Sequence, residues 1–324
     1  MSFATLASLA IRNKTMSILL IFENKDPKPW QKILEQKLAD TDIEIYPEVK
    51  DKSAVDFVVC WKPKRNVLAE FPTIKIIQSV GASIDHITTT QKLNENVVLT
   101  RIVDQQLSVD MWEFLLTAVM SQLKNMQQYT KQQHAKTWLQ QPYKNISNTR
   151  IGILGLGKIG AHVAENFSSI GFQVAGWSNS KKQLSKVEGF AGDVEFSSFL
   201  HNLDFLINLL PLTKKTKDIL DKHALAKTNK GTFLINVGRG EHLVEKDLLA
   251  MLDNSHLSGA LLDVFREEPL PQEHPFWQHP KIQLTPHIAS LTNIESAIDQ
   301  VIENYHRFLK GEELLHTVSL TKGY

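Results

Sequence analysis

The stretch GILGLGKIG, Gly152–Gly160, decides the fold. Ile151–Leu154 is a short apolar run that reads as a strand, and Ala161–Ser168 has the spacing of a helix. Three glycines stand between them. Gly155 permits the tight turn, Gly157 lets a pyrophosphate approach the backbone, and Gly160 lets helix and strand pack closely. The helix start, Lys158-Ile159-Gly160, offers N–H groups that the helix itself does not use, a ready seat for phosphate oxygens. A glycine-bearing turn can arise for structural reasons alone, but strand, loop and helix in this order favour dinucleotide binding.

A second stretch, VAGWSNSKK (Val174–Lys182), qualifies the first. About 20 residues past such a loop, an acid usually meets the ribose hydroxyls of NAD. Here the strand ends in Ser178, Asn179, Ser180, Lys181 and Lys182. A carboxylate would repel a 2′-phosphate, whereas hydroxyl and ammonium groups bind one. The expected cofactor is NADP(H), with NAD(H) still possible. The alternative is a solvated strand end that contacts nothing.

Outward from the loop, strands alternate with helices on both sides. Upstream runs occur at Ile18–Phe22, Ile43–Tyr46, Val55–Cys60, Ile74–Gln78 and Val97–Ile102. Downstream runs occur at Gln173–Trp177, Phe205–Leu209, Thr232–Val237, Gly259–Val264 and Ile282–Thr285. One long helix is expected between the two sets, about Val109 to His134. A last helix is expected from Thr292 to Lys310, opened by a capping box of Thr292 and Glu295. This is an α/β pattern of parallel βαβ units. It implies two doubly wound parallel-sheet domains, Rossmann-like and flavodoxin-like, with a cleft between them. Residues 17–108 and 292–324 are expected to form a substrate-binding domain, 109–291 the dinucleotide-binding domain, and 1–16 an N-terminal tail.

Ligands of such sheets bind outside the carboxyl ends of the strands. Three late strands lead into Gly238-Arg239-Gly240, Arg266-Glu267-Glu268-Pro269 and Pro286-His287. An arginine can hold a carboxylate through two parallel hydrogen bonds. A histidine exchanges a proton near neutral pH, and a neighbouring carboxylate orients it and favours its charged form. Each of the three has an ordinary structural explanation when taken singly. Jointly, at one end of one sheet, they are the equipment for hydride transfer to the carbonyl of a 2-oxo acid.

Composition excludes other classes. Lys and Arg number 36 against 35 Asp and Glu, a net charge of +1, so no basic excess points to nucleic acid or to an anionic membrane. Apolar runs are strand-sized, far short of the roughly 18 residues of a membrane span. The single cysteine, Cys60, excludes an internal disulfide framework and suits a reducing, cytoplasmic setting. Nothing calls for a metal. The first fifteen residues lack acids and a convincing cleavage site, and read as a tail ahead of Met16.

The motifs GILGLGKIG, NLLPLTKKT, INVGRGEHLVEKDLLAML, GALLDVFREEPLP and LTPHIAS resemble the D-2-hydroxyacid dehydrogenases. The likeness runs from Met16 to Tyr324 and is greatest to the glyoxylate/hydroxypyruvate reductase A type, including PFWQHP and the terminal KGY. The resemblance implies NADPH-dependent reduction of glyoxylate or hydroxypyruvate. It implies that Arg239 binds substrate, that His287 is the general acid/base and that Glu268 is its partner. It places Leu210, Pro211, Val237 and Asp263 at the cofactor, Asp263 on the nicotinamide carboxamide. Val80, Gly81 and Ala82 become the loop that receives the substrate carboxylate, and Trp61 a pocket wall. Relatives dimerise through the segment matching Val109–His134, so a homodimer is implied. The segment Val103–Ser108 departs from the glycine-containing pattern of relatives. A non-catalytic NAD(P)-sensing protein on the same scaffold is the alternative.

Overall fold

The computed structural model describes residues 17–318; the tail 1–16 and the terminal KGY lie outside the described residues. The chain divides into two compact units. One takes the chain up to Asp104 and resumes at Thr292; the other is Gln105–Leu291.

The first unit opens with β1 (Ser17–Phe22), α1 (Lys28–Lys37), β2 (Asp42–Ile45) and β3 (Val55–Trp61). It continues with β4 (Ile76–Ser79), α2 (Asp85–Thr88) and β5 (Val98–Thr100). Its sheet has the order β2-β1-β3-β4-β5, and every pairing is parallel. That is the flavodoxin-like order. Ile18, Leu19, Leu20, Phe57, Val58 and Val59 have no exposed surface. A sheet covered on both faces requires such unbroken apolar runs, which is why these strands are legible as runs rather than as alternations.

The second unit begins with α3 (Gln105–Leu123) and α4 (Met126–His134). The sequence suggests one helix starting at Val109. The structure starts it at Gln105 and breaks it at Asn125, which adopts left-handed φ 57° and donates from Nδ2 to the Pro142 carbonyl. Asparagine tolerates that conformation better than most residues. Met111, Leu115, Val119 and Leu123 recur every four residues and enter the core, where Trp112 meets Phe167 edge-on.

Then come β6 (Arg150–Leu154), α5 (Lys158–Ser169), β7 (Gln173–Ser178), β8 (Val187–Ala191) and α6 (Gly192–Leu200). The unit ends with β9 (Phe205–Asn208), α7 (Lys222–Leu225), β10 (Phe233–Asn236), α8 (Glu245–Asp253), β11 (Gly259–Leu262) and β12 (Ile282–Leu284). The order is β12-β11-β10-β9-β6-β7-β8, again wholly parallel. Strand order reverses between β6 and β9, the place where open α/β sheets bind ligands. The edge strand β8 has no counterpart among the expected strands. Its sequence VEGFA is half-exposed and interrupted by Gly189, so it leaves no apolar run.

The chain returns to the first unit as α9 (Ile294–Lys310). Asn293, not Thr292, caps it: Asn293 accepts from the Glu295 N–H, while the Thr292 hydroxyl donates to the Val80 carbonyl. Asn304, buried, donates from Nδ2 to Gln78 Oε1 at 2.8 Å, and Tyr305 packs edge-on against Phe57. Gly311 ends the helix at left-handed φ 70°, as a C-terminal glycine does.

Candidate active site

The glycine loop has the backbone its sequence suggests. Gly155 holds φ 103°, forbidden to most side chains, and its N–H donates to the Trp177 carbonyl at 2.8 Å. A Cβ on Gly160 would fall inside the Gly155 carbonyl oxygen, so helix and turn can touch only through glycine. Around Gly157 the space is open, with nothing within 4 Å of a built Cβ. Gly157 caps α5, and Lys158 beside it is exposed. Ile159 is half-buried. The loop therefore fits a pyrophosphate over an open helix start.

At the end of β7, Ser178 is buried, and its hydroxyl donates to the Ser180 carbonyl at 2.8 Å. Asn179, Ser180, Lys181 and Lys182 are exposed. No carboxylate stands among them. Across the switch point, Leu210 is buried and donates its N–H to Asn208 Oδ1; Pro211 is half-buried and Val237 is buried.

The register Asn236↔Leu262 and Leu262↔Leu284 aligns the carboxyl ends of β10, β11 and β12. Arg239 follows Asn236 by three positions and His287 follows Leu284 by three, so both leave the same end of the sheet, from strands that flank β11. Arg239 Nη1 donates to the Gly238 carbonyl at 2.7 Å. Gly240 packs its backbone on that of Phe265-Arg266, where a Cβ would overlap the Phe265 carbonyl carbon.

His287 Nδ1 lies 2.9 Å from Glu268 Oε2; both side chains keep about a quarter of their surface in solvent (28% and 20%). Glu268 Oε1 accepts the Phe265 N–H, which fixes the carboxylate plane. His287 itself has φ 56°, a strained value for a residue other than glycine.

Asp263 explains how that strain is held. Oδ1 accepts from the Thr285 hydroxyl (2.6 Å) and the Ile288 N–H (2.8 Å), and Oδ2 accepts the Ala289 N–H (3.0 Å). Burial pushes this carboxyl above its ordinary range, against the opposing pull of the three hydrogen bonds and of His287. One buried carboxylate thus brackets His287 from both sides. Arg266, in the same loop as Glu268, serves structure: its guanidinium holds the Leu243 carbonyl and pairs with Asp218.

In the first unit, the carboxyl ends of β3 and β4 carry Trp61 and Val80-Gly81-Ala82. Trp61 is half-buried, with Lys25 Nζ 4.1 Å from its ring centroid and the His86 ring 4.7 Å away. It packs so closely on Gly81 that a Cβ there would sit 2.7 Å from the indole. The three loop carbonyls are tied down: Val80 by Thr292, Gly81 by the Ile102 N–H, Ala82 by Arg101 Nη1. The Val80 and Gly81 N–H groups donate to the Cys60 carbonyl (3.2 Å) and to Ser79 Oγ (3.1 Å). A carboxylate arriving there would compete with both acceptors. Cys60 is wholly buried, and burial pushes its thiol up, so it is inert.

Three residues at the second sheet's edge escape the sequence reading: Asn208, Asn236 and His242, each fully buried. The signal was present in FLIN, repeated at Phe205–Asn208 and Phe233–Asn236, an apolar strand ending twice in a buried amide.

Comparison with known proteins agrees with this fold. Residues 116–289 match the model of the D-isomer specific 2-hydroxyacid dehydrogenase NAD-binding domain. The chain belongs to the D-isomer-specific 2-hydroxyacid dehydrogenase family. It is an NAD(P)-dependent dehydrogenase of 2-hydroxy acids. It is 35% identical to a glyoxylate/hydroxypyruvate reductase A of Yersinia enterocolitica over 95% of this chain and all of that one. A second relative with that name, from Photorhabdus laumondii, is 36% identical over the same shares. Among solved structures, a D-isomer specific 2-hydroxyacid dehydrogenase of Xanthobacter autotrophicus, in complex with NADPH and MES, has TM-score 0.89 at 30% identity, covering 96% of this chain and 100% of that one. An NADPH-dependent glyoxylate/hydroxypyruvate reductase of Sinorhizobium meliloti, in complex with NADP and sulfate, also has TM-score 0.89 at 30% identity, covering 95% and 100%. Among the described residues, no helix is long and apolar enough to cross a membrane, and no cluster of three or more His, Cys, Asp or Glu could hold a metal.

Proposed function

We propose that the protein reduces a small 2-oxo acid, glyoxylate or hydroxypyruvate, to the 2-hydroxy acid with NADPH. The observation that carries this reading is the 2.9 Å pair of His287, which follows β12, and Glu268, which follows β11, at the same end of the sheet as Arg239 after β10. When bound, the nicotinamide supplies a hydride to the carbonyl carbon. The carbonyl oxygen then needs a proton. With Nδ1 taken by Glu268, Nε2 is the ring nitrogen left to His287 for that exchange. Arg239 holds the substrate carboxylate and carbonyl in its planar fork. Trp61, Val80, Gly81 and Ala82 are the proposed substrate contacts of the first unit. Gly155, Gly157, Lys158, Ile159 and Gly160 hold the pyrophosphate; Leu210, Pro211 and Val237 line the nicotinamide half. Asp263 holds the His287 turn and is the residue proposed at the carboxamide. Oxidation of NADPH and NADH, in parallel, with a panel of 2-oxo acids tests the whole reading; absence of turnover with every acid would overturn it.

The preference for NADPH is supported by the lack of any carboxylate at the end of β7 and by the exposed Lys181 and Lys182. Ser178→Asp places a charge against the 2′-phosphate and is expected to erase or reverse the preference, read as the ratio of kcat/KM for the two cofactors. Equal wild-type ratios would refute the preference itself.

A cytoplasmic homodimer completes the proposal. Trp138 is 99% exposed and Leu139 59%, just past α4, and Trp112, Phe114, Leu116 and Met120 on α3 are only partly covered. Solvated apolar surface of this kind marks an interaction site. Analytical ultracentrifugation at micromolar concentration is expected to give twice the 36.7 kDa chain mass; a monomer would refute it.

A further inference from the structure

Beneath the Gly238–Gly240 loop lies a buried polar network with no part in the chemistry above. Strands β9 and β10 share the sequence Phe-Leu-Ile-Asn and pair in register, so Asn208 and Asn236 end side by side. Asn208 Nδ2 donates to Asn236 Oδ1 and faces His242 Nδ1, both at 2.8 Å. Asn208 Oδ1 accepts the Leu210 N–H at 3.2 Å. Asn236 Oδ1 also accepts the Gly238 N–H, and its Nδ2 donates to the Arg239 carbonyl at 3.1 Å. His242 closes the circuit: Nδ1 accepts the Arg239 N–H at 3.1 Å, and Nε2 faces the Pro211 carbonyl at 3.2 Å.

These partners fix the tautomer of the ring. Nδ1 meets two N–H donors and therefore carries no proton, while Nε2 meets a carbonyl oxygen and carries one. The opposite tautomer sets donor against donor at Arg239 and gives up the bond to the Pro211 carbonyl, which then keeps only the Thr216 hydroxyl, a costly arrangement for a fully buried ring.

We infer that His242 is a positioning residue that joins the Arg239 peptide to the Leu210–Pro211 edge of the dinucleotide site. Its Nδ1 serves the substrate arginine, and its Nε2–H serves the cofactor edge. The inference rests on the roles proposed above for Arg239, Leu210 and Pro211. Because the two nitrogens serve two ligands, their contributions separate.

The test exploits two amides of different reach. In His242→Asn the shorter side chain keeps an acceptor near the place of Nδ1 and loses Pro211. In His242→Gln the longer one keeps a donor near the place of Nε2 and loses the acceptor for Arg239. NADPH Kd by fluorescence titration and KM for glyoxylate are measured on both, with Tm as the check on folding. His242→Asn is expected to raise the NADPH Kd about tenfold, the size of one net hydrogen bond, with KM kept. His242→Gln is expected to raise KM about tenfold with Kd kept. Equal changes in both constants, or none, would show a packing residue only and overturn the inference. Should either variant fail to fold, ¹⁵N spectra of histidine-labelled wild type decide: a ring protonated at Nε2 supports the inference, one protonated at Nδ1 overturns it. A wild-type protein with turnover but no such split fails this inference alone. One without NADPH binding or turnover fails the functional proposal and this inference with it.

Discussion

Replacing His287 with glutamine is expected to lower kcat for 2-oxo-acid reduction roughly 10²- to 10⁴-fold, the usual contribution of a positioned acid. NADPH affinity should stay at the wild-type value, because the hydrogen bonds of His287 go to Glu268 and Thr285 and not to the residues assigned to the pyrophosphate. Glutamine preserves a hydrogen-bonding group at the head of the strained turn that Asp263 holds, so the loss reports proton transfer rather than collapse of the loop. Glu268→Gln makes a finer comparison. It keeps a hydrogen bond to Nδ1 but removes the charge that balances an imidazolium 2.9 Å away. Reduction should then slow, because the charge that balances the proton-donating ring is gone. The measurement is kcat/KM for reduction at one pH, after confirming that the proton step limits the rate. A His287→Gln enzyme with wild-type kcat would remove His287 from the chemistry altogether.

Arg239→Lys is expected to cost about 1.5–3 kcal/mol of transition-state binding, the range for hydrogen bonds to a charged group. That corresponds to roughly a ten- to hundredfold fall in kcat/KM at about 1.4 kcal/mol per decade. Lysine keeps the positive charge but not the planar pair of donors that matches a carboxylate. The loop itself should survive the loss of the guanidinium bond to the Gly238 carbonyl, since Gly240, Asn236 and His242 also fix its backbone. Both a higher KM and a lower kcat are expected, with NADPH Kd unchanged. A variant that reduces glyoxylate as well as wild type would make Arg239 a turn residue.

The sequence exposes those parts of the molecule that local chemistry dictates. The glycine loop is legible because each glycine answers a separate steric demand. The inner strands are legible because burial on both faces forces apolar runs such as Val55–Cys60 and FLIN. Arg239, Glu268 and His287 are legible only as residues that follow strands, and their juxtaposition needs the order β12-β11-β10. Features that depend on distant partners stay hidden. Thr292 and Asn293 are both good helix caps, and the choice falls to Asn293 because the Val80 carbonyl, far away in sequence, claims the Thr292 hydroxyl. The bend at Asn125 depends likewise on Pro142. Asp263 enters through the family resemblance as a cofactor contact, and its three hydrogen bonds to the turn that carries His287 are not legible in the sequence. His242 gives no local sign at all, since its meaning comes from two asparagines on other strands.

The return of α9 has a consequence for how the protein is made. Asn304 bonds to Gln78 across 226 residues of chain, and Tyr305 covers Phe57 at still greater separation. On the ribosome, the flavodoxin-like sheet emerges first but lacks the helix that shields this part of it. The intervening unit is contiguous and can complete its own sheet while synthesis continues. The first-made strands therefore finish last, and their apolar faces wait for α9 in a state where exposed strands invite aggregation. Closing so long a loop adds little to its entropic cost, which grows only with the logarithm of length. The burden falls on time rather than on final stability. A nascent chain stalled before Thr292 carries a finished nucleotide unit beside an open sheet, the species that a chaperone would have to guard.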